Sequence, residues 1–203
     1  MKKLVAGVVV AMLLVIAGVG VVMAPSIVVT FNKYATLDQN VDAKWSQVEN
    51  VYQRRYDLIP NLVNAIKGYM KHEHGTFEDV AKARSDAGKV KLDLNAGDLT
   101  PENLAKFQEV QGQLSSALSR LMVVMEKYPE LKANTQIESL MVQLEGTENR
   151  IAVERKNYND SAQEYNTFRK QFPANAVGFV FGFKVKPYFK MDEEAKKAPK
   201  VDL

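Results

Sequence analysis

Cysteine is absent from the chain. That removes disulfides, thiolate nucleophiles, thiolate metal sites and a lipidated N-terminal cysteine together, and it leaves the redox compartment open. Histidine is nearly absent. The two present, His72 and His74, are two positions apart, which on a helix places them about 200° apart and denies them a shared metal ion. A zincin-type site needs histidines at i and i+4. No G-x-S-x-G, P-loop or dinucleotide-binding glycine pattern occurs. Ser115, Ser116 and Ser119 have no visible base, and Glu73, Glu78 and Asp79 are mixed with lysines as on a solvated face. A strong charge of one sign is missing too. The net charge is +3, and removing Lys2 and Lys3 leaves +1, which argues against nucleic acid as a partner. These absences predict a protein with no catalytic residues, no metal and no cofactor.

What the chain does contain is a long apolar run. Residues 4–24 carry no charged side chain and follow Lys2 and Lys3. As a helix rising ~1.5 Å per residue they would reach about 31 Å, enough to cross a hydrocarbon core. The run exceeds the ~7–15 apolar residues of a secretory leader, and Pro25 follows the best small-residue cleavage site. The expectation is an uncleaved single-pass anchor over 1–24, with Leu4, Val10, Leu14 and Val22 facing lipid. Lys2 and Lys3 favour a bacterial inner membrane with the body on the periplasmic side. Gly7, Ala11 and Gly18 share one helical face that would allow two anchors to pack.

Beyond the run, the pattern is helical. Val41, Trp45, Val48 and Tyr52, then Ile59, Leu62, Ile66 and Tyr69, follow a 3-4 spacing. Pro60 should kink or break that helix, because it lacks an N–H and its ring crowds residue 56. Gly75 and Gly88 read as further weak points, and residues 87–100 as a loop. Thr100-Pro101 reads as an N-cap with proline at the first helical position. Leu104, Phe107, Val110, Leu114, Leu118, Leu121 and Met125 then share a face that ends at Tyr128-Pro129. Thr135 to Glu138 reads as a capping box. After it, Ile137, Leu144, Ile151, Tyr158, Tyr165 and Phe172 keep a seven-residue period, coiled-coil-like, up to Pro173. The short run at 178–183 is the single β-like stretch. The fold class expected is all-α: a transmembrane helix followed by an elongated antiparallel bundle of long helices.

Charged residues interrupt the apolar faces at a few positions. Arg55 stands seven after Val48 and seven before Leu62. Glu148 and Arg155 fall between Leu144, Ile151 and Tyr158, and Asn159 and Asn166 border the same face. A lone buried charge costs several kcal/mol, so these groups should be paired. The reading is a structural polar cluster of Arg55, Glu148 and Arg155 that fixes helix register. The alternative is a polar pocket for an anionic ligand.

Residues 174–189 gather Phe179, Phe181, Phe183, Tyr188 and Phe189 around Lys184 and Lys186. They read as an arm that packs on the bundle, or as a contact for membrane or a second subunit. The charged tail at 190–203 reads as disordered.

Several strings together resemble one family. They are Ala43-Lys44-Trp45-Ser46, Gln53-Arg54-Arg55-Tyr56-Asp57-Leu58-Ile59-Pro60-Asn61-Leu62-Val63, Ala83-Arg84, Tyr128-Pro129-Glu130-Leu131, Thr147-Glu148-Asn149-Arg150-Ile151, and Arg155-Lys156-Asn157-Tyr158-Asn159. In order and spacing they are similar to the LemA family from about residue 32 to 189. The resemblance implies a bundle domain over 25–189 behind one membrane span, and no transferable enzymatic activity. It also implies a link to membrane organisation in some bacteria, magnetosome-forming ones included. The expected function is a non-enzymatic, membrane-anchored scaffold or adaptor. It would self-associate or recruit membrane proteins, with the lipid bilayer, a homo-oligomer and other membrane proteins as partners. The alternative is a membrane-tethered sensor that uses the polar cluster.

Overall fold

The computed structural model describes the backbone over residues 2–92 and 99–190. Within its helices, the side chains of 2–6, 8–11, 13–23, 91, 92 and 132 lie outside the described residues. The described residues form α1 (Lys2–Ile66), α2 (His74–Leu92), α3 (Pro101–Met125), α4 (Pro129–Lys132), α5 (Thr135–Lys170) and α6 (Ala174–Phe181). The all-α class is as expected.

The membrane span is not. Among the described residues, no helix is long and apolar enough to cross a membrane. Helix α1 passes through Pro25 without a break and continues into a stretch carrying Lys33, Asp38 and Asp42. The anchor assigned to Leu4, Val10, Leu14 and Val22 falls on side chains outside the described residues. The transmembrane helix, the single-pass inner-membrane placement, the bilayer as partner and the membrane-anchored function are therefore corrected. What stands is a helical bundle. The tail at 191–203 and residues 93–98 of the expected loop also lie outside the described residues.

The chain divides into two compact units, residues 1–41 with 163–185, and residues 42–162 with 186–203. In the first, Tyr34 organises the packing. Its ring stacks on Phe183 at 4.2 Å and meets the edges of Tyr165 and Phe168. Its hydroxyl donates to the Ala174 carbonyl at 2.9 Å. Gly178 gives that hydroxyl its room, since a Cβ there would overlap Tyr34 Oη. Gly182 closes α6 in the left-handed region at φ 75°. Phe183 N–H donates back to the Gly178 carbonyl at 2.9 Å, as a Schellman-type end requires. The β-like reading of 178–183 thus gives way to a helix end, because both glycines serve helix packing and termination.

The second unit is an up-down-up-down bundle. Tyr52 meets Phe107, and Arg55 meets Gln111 and Ser115, so α1 and α3 run in the same direction. Trp45 meets Tyr158, while Arg55 meets Glu148, so α5 runs against both. Residues 67–73 turn the chain back into α2, which pairs Asp79 with Arg120 of α3 at 3.5 Å. Ile59, Leu62, Ile66, Phe77, Leu114, Leu121, Ile137 and Leu144 form a continuous apolar core. That is the arrangement short connections between amphipathic helices favour.

Pro60 does not break α1. It removes one N–H donor and so leaves the Tyr56 carbonyl without its i+4 partner. Arg84 supplies the replacement, donating from Nε to the Tyr56 carbonyl at 3.1 Å. The same guanidinium lies over the Tyr56 ring, 3.7 Å from its centroid. Gly88, one turn on, sits against that ring, where a Cβ would come within 3.0 Å of Tyr56 Oη. The expected weak point is thus where α2 is fastened to α1, and Gly75 and Gly88 lie inside α2.

Helix ends follow their caps. Thr100 Oγ1 accepts from Asn103 N–H at 3.1 Å and starts α3. The cap of α5 is Asn134, whose Oδ1 accepts from Gln136 N–H and Ile137 N–H. The capping box expected at Thr135 is therefore displaced by one residue.

Candidate functional site

Among the described residues, Arg55 is the largest charged group in the interior, 1% exposed. It shares a helix face with buried Trp45, Val48, Tyr52, Ile59, Leu62 and Ile66, so folding carries it inward, where it needs acceptors. Its Nη1 donates to Glu148 Oε2 at 2.8 Å and to Ser115 Oγ at 2.9 Å. Its Nη2 donates to Gln111 Oε1. Glu148 itself is half in solvent, with 52% of its side chain exposed. The pair therefore spans from core to surface, and solvent carries part of the carboxylate's hydration. Of the three residues expected in the cluster, Arg55 and Glu148 meet here. Sequence reasoning missed Gln111 and Ser115, because a polar residue on a helix face carries no sign of what it will touch.

An open cleft of about 650 Å³ lies beside this cluster, with Tyr52, Ser119, Arg120 and Arg155 on its walls. At its base the Arg55 guanidinium is committed to protein acceptors through both terminal nitrogens. That commitment corrects the sensor alternative: the cluster is built to join α1, α3 and α5, and no observation favours a ligand on it.

Arg155 does a different job from the one expected. Its Nη2 donates to the Lys190 carbonyl at 2.8 Å, and its guanidinium lies 5.2 Å from the Phe189 ring centroid. It belongs to a second site, a groove that holds the C-terminal arm. Asn159 donates to the Phe189 carbonyl at 3.0 Å and accepts from Phe189 N–H at 2.8 Å. Gln108 does the same one residue on, donating to the Lys190 carbonyl at 3.0 Å and accepting from Lys190 N–H at 3.1 Å. Lys186 reaches Asp42 at 3.4 Å. The Phe189 ring is 4% exposed; it stacks on Trp45 and meets the edge of Tyr158. Beneath it, Trp45 Nε1 and the Tyr158 hydroxyl have no hydrogen-bond partner. Burial, with the Asp42 carboxylate adding to it, pushes the Tyr158 phenol far above its ordinary value.

The five aromatic residues of the arm therefore separate. Phe189 is buried and Phe183 packs on Tyr34. Phe179, Phe181 and Tyr188 are exposed, Phe179 by 88%. In the first unit Phe31 backs Phe181 and Phe183 from behind, with ring centroids 5.1 and 5.7 Å away. Phe172, expected to close the heptad pattern of α5, is exposed, since α5 ends at Lys170.

Metal chemistry has no seat among the described residues: no group of three or more His, Cys, Asp and Glu side chains is placed to hold an ion. Glu73, beside the two histidines, accepts from the Tyr128 hydroxyl at 3.1 Å.

Comparison with known proteins gives consistent similarities. The chain is 27% identical over 186 residues to magnetosome proteins MamQ 1 and MamQ 2 of Paramagnetospirillum magneticum. It is 28% identical over 179 residues to magnetosome protein MamQ of Magnetospirillum gryphiswaldense. Each match covers 81% of this chain and 66% of the relative. The chain therefore spans a little under two thirds of the length of these relatives. It is also 23% identical over 141 residues to protein LemA of Metamycoplasma hominis, covering 69% of this chain and 60% of that protein. Residues 44–203, which hold the Arg55 cluster, the Arg84 fastening and the arm groove, match the LemA family throughout, and the chain belongs to that family.

Proposed function

We propose that this LemA-family chain is a non-enzymatic helical scaffold that holds a protein partner on the exposed apolar face of residues 172–181. The observation that carries the reading is the exposure of Phe172, Phe179 and Val180, at 78%, 88% and 74%. Large apolar side chains gathered on a fixed surface mark contact sites more often than scattered ones do. Here they are mounted rigidly, because α6 is pinned through Ala174, Gly178 and Phe183 to the Tyr34 ring.

The rest of the molecule supports a non-catalytic role. Among the described residues, the groups with shifted protonation are Tyr34, Tyr128 and Tyr158, and for each the leading cause is burial. None is paired with a nucleophile in a cleft, the arrangement that marks acid–base sites. The most deeply buried charge among the described residues, Arg55, bonds to α3 and α5 and not to a reactive group. The names of the relatives, magnetosome protein and LemA, state no reaction.

Site-specific photocrosslinking in the host cell tests the proposal. A photoreactive residue replaces Phe179 in one chain and Val153, also exposed, in another. Discrete adducts to one or a few proteins from position 179, absent from position 153, are expected. The same diffuse pattern from both positions would sink the proposal.

A further inference from the structure

The groove that holds residues 186–190 recognises backbone more than sequence. Asn159 and Gln108 each place a carboxamide against one residue of the arm, and each amide makes both a donated and an accepted bond to that residue's main chain. A carboxamide carries that donor and acceptor side by side, so two in succession form a receptor for an extended peptide. One side chain provides the anchor, the Phe189 ring on Trp45. One charge sets the start, Lys186 on Asp42.

Trp45 and Asp42 reach the arm from α1, Gln108 from α3, and Arg155 and Asn159 from α5. Residues 183–190 belong to no helix or strand. The arm thus contributes no regular structure on which the helices depend. The groove also resists standing empty. Loss of the arm would uncover the Trp45 and Tyr158 rings, now 1% and 0% exposed, and large apolar surfaces left bare are refilled.

We infer that this groove is a peptide-binding site and that the arm of a second copy of the chain occupies it in trans, in exchange for the resident arm. A second copy is the occupant because its residues 186–190 offer the same ring, the same two peptide groups and the same lysine. Exchange keeps each bond and alters the chain that supplies it, which is why swapped segments assemble at low cost. The tethered arm holds the advantage of effective concentration, so exchange shows when the resident arm is weakened. The inference uses the second unit alone and does not depend on the face at 172–181.

Trp45 is the one tryptophan in the chain, and it reports the test. The acceptor is the full chain with Phe189→Ala, whose groove is intact and whose arm lacks its anchor. The donor is the full chain with Trp45→Leu, which is dark and keeps its arm. Mixing them should form a 1:1 complex by sedimentation and return the acceptor's Trp45 emission to that of the unmodified chain. A donor that also carries Phe189→Ala should do neither. Emission unchanged by the first donor, with the acceptor still helical by circular dichroism, overturns the inference. So does restoration by the second donor. Should Phe189→Ala fail to fold, Phe189→Leu keeps apolar bulk without the ring stack, and the same outcomes decide.

Discussion

Arg55 connects three helices through one side chain. A guanidinium offers five donors in a fixed plane, and here its terminal nitrogens bind acceptors on two different helices. Removing it orphans Gln111, itself buried, and releases Glu148 to water. Hydrogen bonds to a charged group contribute about 1.5–3 kcal/mol each, less where solvent competes. Arg55→Leu should therefore lower stability by about 2–3 kcal/mol. Glu148→Gln should cost about 1 kcal/mol, since the amide still accepts and the site is half exposed. Thermal denaturation of both variants checks the order, and an unchanged Tm for Arg55→Leu contradicts the buried cluster. Tyr158 makes a complementary case. Its hydroxyl is buried without a partner, so Tyr158→Phe should be neutral or stabilising near pH 7. Its raised pKa also has a sign. The folded chain keeps the proton after the unfolded chain has lost it near pH 10. The associated stability is full below that pH and declines as pH rises above it. Urea midpoints across that range should fall less steeply for Tyr158→Phe than for the unmodified chain.

At the scale of elements, a proline inside a helix has become a docking point. Arg84 takes the carbonyl that Pro60 leaves free, and the bond spans 28 residues of sequence. Arg84→Met keeps the stem over Tyr56 and removes the donor. It should cost about 1.5–3 kcal/mol in the unmodified chain. With Pro60→Ala in place, the restored main-chain N–H takes the Tyr56 carbonyl, and the cost of Arg84→Met should shrink. A double-mutant cycle on urea midpoints measures that coupling, and equal costs in both backgrounds would separate the two residues. Elements were legible in the sequence where their cause is local. The Thr100 cap acts three residues away, and the heptad on α5 is buried from Ile137 to Tyr165 as its period requires. Pro60 was misread because its remedy comes from another helix. Asn134 was passed over because two competent capping residues stand side by side, and backbone geometry chooses between them.

For the whole molecule, the all-α class was readable, since periodicity acts on every residue of a face. The groove was not. Gln108 and Asn159 bind main chain, which has no sequence signature, and of five clustered aromatics nothing local says that Phe189 is buried while Phe179 is bare. The apolar run at 4–24 pointed to a span that no described helix supplies. Length and hydropathy alone do not decide where a helix ends, and α1 continues to Ile66.

The bond from Tyr34 to Ala174 joins residues 140 apart, and this separation has a consequence during synthesis. At ~5–20 residues per second, a ribosome needs on the order of ten seconds to deliver the partner of a residue that emerged near the start. Until then the Tyr34 ring lacks its contacts with Tyr165, Phe168 and Phe183. Newly made chains therefore pass through an interval in which the Tyr34 ring waits for the segment that covers it.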